Sequence, residues 1–224
     1  MRAGEKGDGS PEALATLCET YWYPLYAYAR RRGYGIEDAQ DLTQAFFARV
    51  LSRDFFTKAN PERGRFRAFF VTAFKHYLAN EHDYARAGKR GGAQLPASLD
   101  QAESRYEHEP AHDLTPEALY ERRWALALIA RAFGELEAEE EQKGRRAQFE
   151  ALRPLLAGDE TPHKAVAAQL GMSGGAVNVA LHRLRRRFAY VLRERIAETV
   201  DSAEAIEDEL RHLLEAVTPR PQAT

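Results

Sequence analysis

Residues 161–187 read Thr-Pro-His-Lys-Ala-Val-Ala-Ala-Gln-Leu-Gly-Met-Ser-Gly-Gly-Ala-Val-Asn-Val-Ala-Leu-His-Arg-Leu-Arg-Arg-Arg, and this stretch decides the fold. Thr161 followed by Pro162 reads as a helix start, the hydroxyl as cap and the proline at the first helical position. Val166 and Leu170 then face inward, one turn apart. Gly171 ends the short helix, Met172 fills the turn and Ser173 caps a second helix. In that helix Val177, Leu181, Leu184 and Phe188 recur at three- and four-residue spacing and form a buried stripe. The open face carries Gly175, Ala176, Asn178, Val179, His182 and Arg183, and Arg185, Arg186 and Arg187 extend the positive surface. Two helices joined by a short, glycine-containing turn predict a helix-turn-helix. Early residues of such a second helix reach base edges in the major groove, while later arginines grip phosphate. A plain helical hairpin with a solvated arginine cluster accounts for the charge. It does not account for turn, caps, apolar stripe and arginines falling on one element.

Helical periodicity extends outward from this stretch, and neither sustained two-residue alternation nor a hairpin turn signal interrupts it. Ser10-Pro11 predicts a helix start, with Leu14, Leu17 and Tyr21 on one face. Pro24 is expected to restart or kink that helix, and Gly33 with Gly35 to end the next. A helix opening at Glu37-Asp38 buries Ala39, Leu42, Phe46 and Val50 and turns Asp41, Gln44 and Ala48 outward. After the polar stretch 57–65, an aromatic helix runs from about Phe66 to Arg86. Residues 88–114 lose periodicity and read as linker. Thr115-Pro116 restarts helix with Leu119, Leu126, Ile129 and Phe133 on one face, and the acids of 135–141 read as a solvated face. The expected fold is all-α: an N-terminal tail (1–13), a helical domain (14–90), a flexible acidic linker (91–114), a helix-turn-helix domain (115–195) and an acidic C-terminal extension (196–224).

Charge is segregated. The chain has 224 residues and a net charge of −2, yet residues 99–121 and residues 196–217 carry −6 each, leaving +10 on the remainder. Basic residues are mostly arginine, which suits bidentate phosphate and base-edge contacts. Such blocks fit a nucleic-acid binder with acidic linker and tail. No apolar run approaches a membrane span, so no membrane insertion is expected. The polar N-terminus lacks the apolar segment of a signal peptide, and a single cysteine, Cys18, forms no intramolecular disulfide; a cytoplasmic protein is expected.

In the first domain, Asp38-Ala-Gln-Asp-Leu-Thr-Gln-Ala-Phe-Phe-Ala-Arg-Val-Leu51 resembles region 2.2 of the bacterial sigma-70 family, in its extracytoplasmic-function (ECF) group. Phe66-Arg-Ala-Phe-Phe-Val-Thr-Ala-Phe-Lys-His-Tyr-Leu-Ala-Asn80 resembles the segment spanning regions 2.3 and 2.4, and the helix-turn-helix resembles region 4.2. The resemblance covers roughly residues 14–195, with the motifs in family order. It departs from the family pattern at Gln40, where an acid is usual, at Phe69 for tryptophan, at His76 for asparagine, and at Gly174-Gly175-Ala176 for Glu-Gly-Thr.

The resemblance implies a sigma factor that binds core RNA polymerase and directs promoter-specific initiation by recognising −10 and −35 elements. Asp38, Asp41, Gln44 and Phe47 would dock on the polymerase clamp. The loop 59–65, with Asn60, Arg63 and Arg65, would capture a flipped non-template base. Arg67, Phe69, Lys75, His76 and Asn80 would lie on or beside the helix facing melting promoter DNA. Ala176, Asn178, Val179, His182 and Arg183 would approach the −35 element, with Arg186 and Arg187 on phosphate. Partners would be core RNA polymerase, promoter DNA and an anti-sigma factor or other regulatory protein.

The residues support this chemistry independently. An extruded base needs an aromatic wall or polar pocket to offset unstacking, and aromatics interleaved with Arg67, Lys75 and His76 provide both. Phe66, Phe70, Phe74 and Tyr77 have core spacing, which leaves Phe69 as the exposed aromatic. The alternative is a helix-turn-helix regulator that binds an operator without polymerase docking. Catalysis is not expected: no phosphate loop, nucleophile elbow or metal-binding spacing stands out. Glu81-His82-Asp83 diverge around a helix, and Pro110 separates His108 from His112. Neither cofactor nor metal is expected. The acidic extension, with Ile206, Leu210, Leu213 and Leu214 as an apolar stripe, is expected to cover the domain before it, near Arg183–Arg187.

Overall fold

The computed structural model describes residues 11–51, 65–85, 99–108, 114–200 and 202–218. Among them every regular element is an α-helix, in agreement with the all-α expectation. The order is α1 (Pro11–Arg31), α2 (Ile36–Val50), α3 (Phe66–Ala85), α4 (Leu99–Glu107), α5 (Pro116–Gln142), α6 (Arg146–Ala157), α7 (His163–Leu170), α8 (Gly174–Ala197) and α9 (Ala203–Val217). The chain divides into two units: residues 1–127 with 197–224, and residues 128–196. The division falls inside α5 and at the end of α8. It does not fall in the expected linker 91–114, and the extension 196–224 belongs almost wholly with the N-terminal residues.

Unit 1 is built on α1. Residues 20–29 are buried on every side, so this helix is enclosed rather than amphipathic. The same enclosure explains why α1 runs through Pro24 without a break: packing holds the turn from which the proline removes a hydrogen bond. α1 ends at Gly33, whose φ of 95° lies in the left-handed region. Aromatic side chains from α1, α2 and α3 interlock edge to face. Tyr21 meets Phe70 at 5.0 Å between centroids, and Phe46 meets Phe70 at 5.3 Å and Phe74 at 5.0 Å. Each such pair adds about 0.5–1.5 kcal/mol beyond the area it buries. Fully buried Trp124 of α5 donates from its indole N–H to the Tyr21 hydroxyl at 3.3 Å.

Two segments that read as appendages are parts of this unit. Leu99–Glu107, inside the expected linker, forms α4. Its Ala102 is buried, and Glu103 accepts from the Tyr26 hydroxyl at 2.5 Å and from Arg30 Nη2 at 2.7 Å. The acids that looked like linker charge include one that anchors a helix. Helix α9 is likewise tied to unit 1. Glu209 pairs with Arg65 and Arg67, His212 Nε2 lies 3.2 Å from Glu121 Oε2, and Arg122 Nη1 donates to the Val217 carbonyl at 3.4 Å. The backbone N–H of Phe66 donates to the Thr199 carbonyl just before α9. Leu213 is fully buried, Ile206 and Leu210 half-buried, and Leu214 is 53 % exposed.

Unit 2 packs the second half of α5 with α6, α7 and α8. Its core joins Leu136, Phe149, Leu152, Leu155, Val166, Val177, Leu181 and Leu184, with Phe133 and Phe188 in contact at 4.6 Å on its flank. The turn between α7 and α8 follows the expected chemistry. Gly171 is left-handed at φ 61°, and the Ser173 hydroxyl accepts from the Ala176 N–H at 3.2 Å. The start of α7 does not: the helix begins at His163, Pro162 flanks it, and no side chain caps it. Thr161 therefore does not serve as the cap. In α5 the deepest positions are Leu119, Tyr120, Trp124, Ala125, Leu128, Ala132 and Leu136; Leu126, Ile129 and Phe133 are half-buried.

Candidate nucleic-acid interface

In unit 2, the buried Val177–Leu181–Leu184 stripe fixes the rotation of α8, and the opposite face is open by helical geometry. Gly175, Asn178, Val179, His182, Arg183 and Arg186 are exposed there, Val179 at 51 %, while Ala176 is half-buried. Asn178 Oδ1 lies 2.8 Å from Nδ1 of His163, which comes from the first turn of α7. His163 was not among the residues singled out from sequence, because its partner lies on a different helix.

The arginines of α8 do not form one uniform row. Arg185 donates to the Leu155 carbonyl at 3.2 Å and so ties α8 to α6. Arg187 makes a bidentate contact with Glu139, at 2.8 and 2.5 Å, and its guanidinium sits 4.8 Å from the Tyr190 ring. That arginine holds the Glu139 carboxyl below its usual range. The neighbouring Glu140 is buried. It accepts from Arg145 at 2.7 and 2.9 Å and from Lys143 at 2.9 Å, and Arg145 leads in lowering its pKa. The run 135–141, expected to be a solvated face, thus supplies two carboxylates that position cations. A cavity of about 260 Å³ is lined by Lys143, Arg145, Arg183 and Arg187 together with Glu140 and apolar Phe149.

In unit 1, α2 carries Asp38 and Asp41 on its exposed side. Gln44 and Phe47, expected beside them for polymerase docking, are at 8 % and 0 % exposure. Phe47 packs 5.8 Å from Phe70 of α3, and Gln44 is buried on the same helix. The helix buries a face wide enough to take in Phe47 as well as Ala39, Phe46 and Val50, and Leu42 is only half-buried. These two residues are therefore internal, a correction to the expected docking set.

Of the residues expected at promoter DNA, Asn60 and Arg63 lie outside the described residues. His76 and Asn80 are exposed on α3, and Phe69 is half-buried. Lys75 is exposed and meets Glu117 at 2.8 Å, an ion pair that lowers the Glu117 pKa. Arg67 is the outlier at 4 % exposure. Its guanidinium bonds Glu121 and Glu209 and lies 5.0 Å from the Trp124 ring, and its carbonyl accepts from the Tyr120 hydroxyl at 3.0 Å. Burial pushes the Tyr120 pKa well above its ordinary value. A guanidinium so enclosed is not a free surface contact, which corrects the expectation for Arg67. Arg65, two residues earlier, is 37 % exposed and reaches Glu209 at 3.0 Å.

Among the described residues no cluster of three or more histidine, cysteine or carboxylate side chains is placed to hold a metal ion. No described helix is long and apolar enough to cross a membrane. No protein-family model, curated protein or solved structure matches the chain.

Proposed function

We propose that this chain is a sigma factor of the ECF type, acting by binding rather than catalysis, in the cytoplasm, on core RNA polymerase and promoter DNA. The observation that carries the reading is the α7–turn–α8 element. A left-handed glycine, a serine cap and a buried Val177–Leu181–Leu184 stripe leave Asn178, Val179, His182, Arg183 and Arg186 presented together. A helix-turn-helix would use that face in the major groove, with Asn178 and His182 toward base edges and Arg183 and Arg186 toward the backbone. In the other unit, Asp38 and Asp41 form the acidic edge offered to the polymerase clamp, and His76 and Asn80 the exposed polar edge of α3 offered to melted DNA. Control by an anti-sigma factor or another regulatory protein is part of the same proposal.

Run-off transcription with purified core polymerase on a genomic library tests the reading directly. The expected result is initiation at a restricted promoter set, abolished or weakened by Asp41→Arg through loss of core binding. Burial of Gln44 and Phe47 favours the second reading, an operator-binding regulator, because it leaves two of four expected docking residues on the surface. Duplex binding to a defined site, without co-purification or transcription with core polymerase, would decide for that regulator.

A further inference from the structure

We infer that the start of α3 is an anion site for single-stranded nucleic-acid phosphate, filled in the free chain by the Glu209 carboxylate, so that α9 competes with DNA. This rests on the proposed promoter-facing role of α3. Arg65 and Arg67 converge on Glu209, whose side chain is 1 % exposed while that of Arg65 remains 37 % exposed. A carboxylate held by two guanidiniums meets the same planar, charge-assisted donors that a phosphate oxygen pair requires.

The local electrostatics explain why an anion must sit there. The first turn of α3 contains no acid, yet Arg65 and Arg67 place two cations at the positive end of its dipole. The compensating charge comes from Glu121 of α5 and Glu209 of α9. Glu121 belongs to the body of the unit and would keep Arg67 in place if α9 left. On this proposal Glu209 is the exchangeable partner, carried by a separate helix, α9, whose contacts include buried Leu213, the Glu209 pairs, His212 on Glu121, the bond from Arg122 to Val217 and, just before it, the bond from Phe66 to Thr199. Its exposed residues include Glu204, Glu207, Asp208 and Glu215 against one arginine, Arg211, which pairs with Asp208 at 3.0 Å, so the surface is net negative. That surface is repelled by a nucleic-acid backbone, so docked α9 and bound DNA oppose each other at this end of α3.

The test compares full-length chains for binding to a single-stranded oligothymidylate by fluorescence anisotropy across a salt series. Glu209→Gln keeps the shape of the side chain and removes its charge. It should bind roughly fivefold tighter than the parent at low ionic strength, where charges are least screened. Leu213→Ala, which loosens α9 without touching either arginine, should also gain affinity, and Arg65→Ala in the Glu209→Gln background should cancel the gain. Hydrogen exchange should rise across Ala203–Val217 while Phe66–Ala85 stays protected. If Glu209→Gln does not fold, Leu213→Ala decides. Unchanged or weaker binding in the folded variants overturns the site and leaves α9 a structural helix. Should the parent support transcription while the variants gain nothing, the site fails and the sigma-factor reading stands. A gain on oligothymidylate in a chain that binds neither duplex DNA nor core polymerase has the opposite meaning: the site stands alone.

Discussion

Arg67 in unit 1 and Arg187 in unit 2 are both held by glutamates, but at opposite depths. The Arg67 side chain is 5 % exposed between Glu121 and Glu209, whereas Arg187 is 43 % exposed against Glu139. At the surface, water solvates either partner once the other is gone, and a screened pair contributes about 0–1 kcal/mol. Inside, removing one partner leaves the other charge desolvated, with only the remaining contacts of Arg65 on Glu209 and His212 on Glu121 to offset it. The same residue type in two basic segments therefore has two roles: a fastener in unit 1, and in unit 2 an exposed cation oriented by an acid. Arginine content alone does not distinguish them.

The largest effect should come from breaking the deep site. Arg67→Ala removes the guanidinium that Glu121 and Glu209 share and should cost about 3–5 kcal/mol in urea denaturation. Arg187→Ala should stay within about 1 kcal/mol of the parent. Equal losses would erase the distinction of depth.

An intermediate effect is expected at Glu140, whose charged hydrogen bonds to Lys143 and Arg145 make Glu140→Gln worth about 1–2 kcal/mol at neutral pH. It also sharpens the pH behaviour. Arg145 lowers the Glu140 pKa, Arg187 that of Glu139, Arg30 that of Glu103 and Lys75 that of Glu117, all from 4.5. A carboxylate whose folded pKa lies below its unfolded value stabilises the fold fully above the unfolded value. That contribution disappears as pH falls through the folded value. Stability should thus decline on acidification below about pH 4.5, and Glu140→Gln should remove part of the decline. An acid limb identical to the parent's would show that the Glu140 contacts contribute nothing.

The smallest effect on stability belongs to Arg186, exposed on the open face of α8. Arg186→Ala should leave the melting temperature unchanged and reduce the salt slope of duplex binding by about one. Arg187→Ala should change that slope less, since Glu139 already holds its guanidinium. A slope that falls equally in both would mean that the pair with Glu139 opens on binding.

Most of unit 2 was legible because its determinants are local. Gly171, Met172 and Ser173 set the turn within three residues, and the stripe from Val177 to Leu184 lies on one helix. What escaped the sequence depends on partners distant along it. Glu103 looked like linker charge because Arg30, its partner, is 73 residues away. The apolar stripe of α9 could be read, with Leu213 at its centre, but not the surface it covers: periodicity gives a face and no address. The spacing of α2 alone turns Gln44 outward and the resemblance puts Phe47 on the docking face, whereas the packing of α1 and α3 against that helix widens its buried side to include both. Asn178, Val179, His182 and Arg183, read as one open face, do lie exposed together, whereas Arg67 is separated from His76 and Asn80 by burial.

The contact between Arg67 and Glu209 spans 142 residues, with the whole of unit 2 inserted between the two parts of unit 1. Such a long closure must await the synthesis of Glu209. At about 5–20 residues per second, Arg67 would be made roughly 7–30 s before its second glutamate exists. In that interval Glu121, 54 residues after Arg67, is made first, and the whole of unit 2 is synthesised before Glu209. The nascent chain therefore passes through a stage in which every residue of α8 has been made while Arg67 still lacks Glu209.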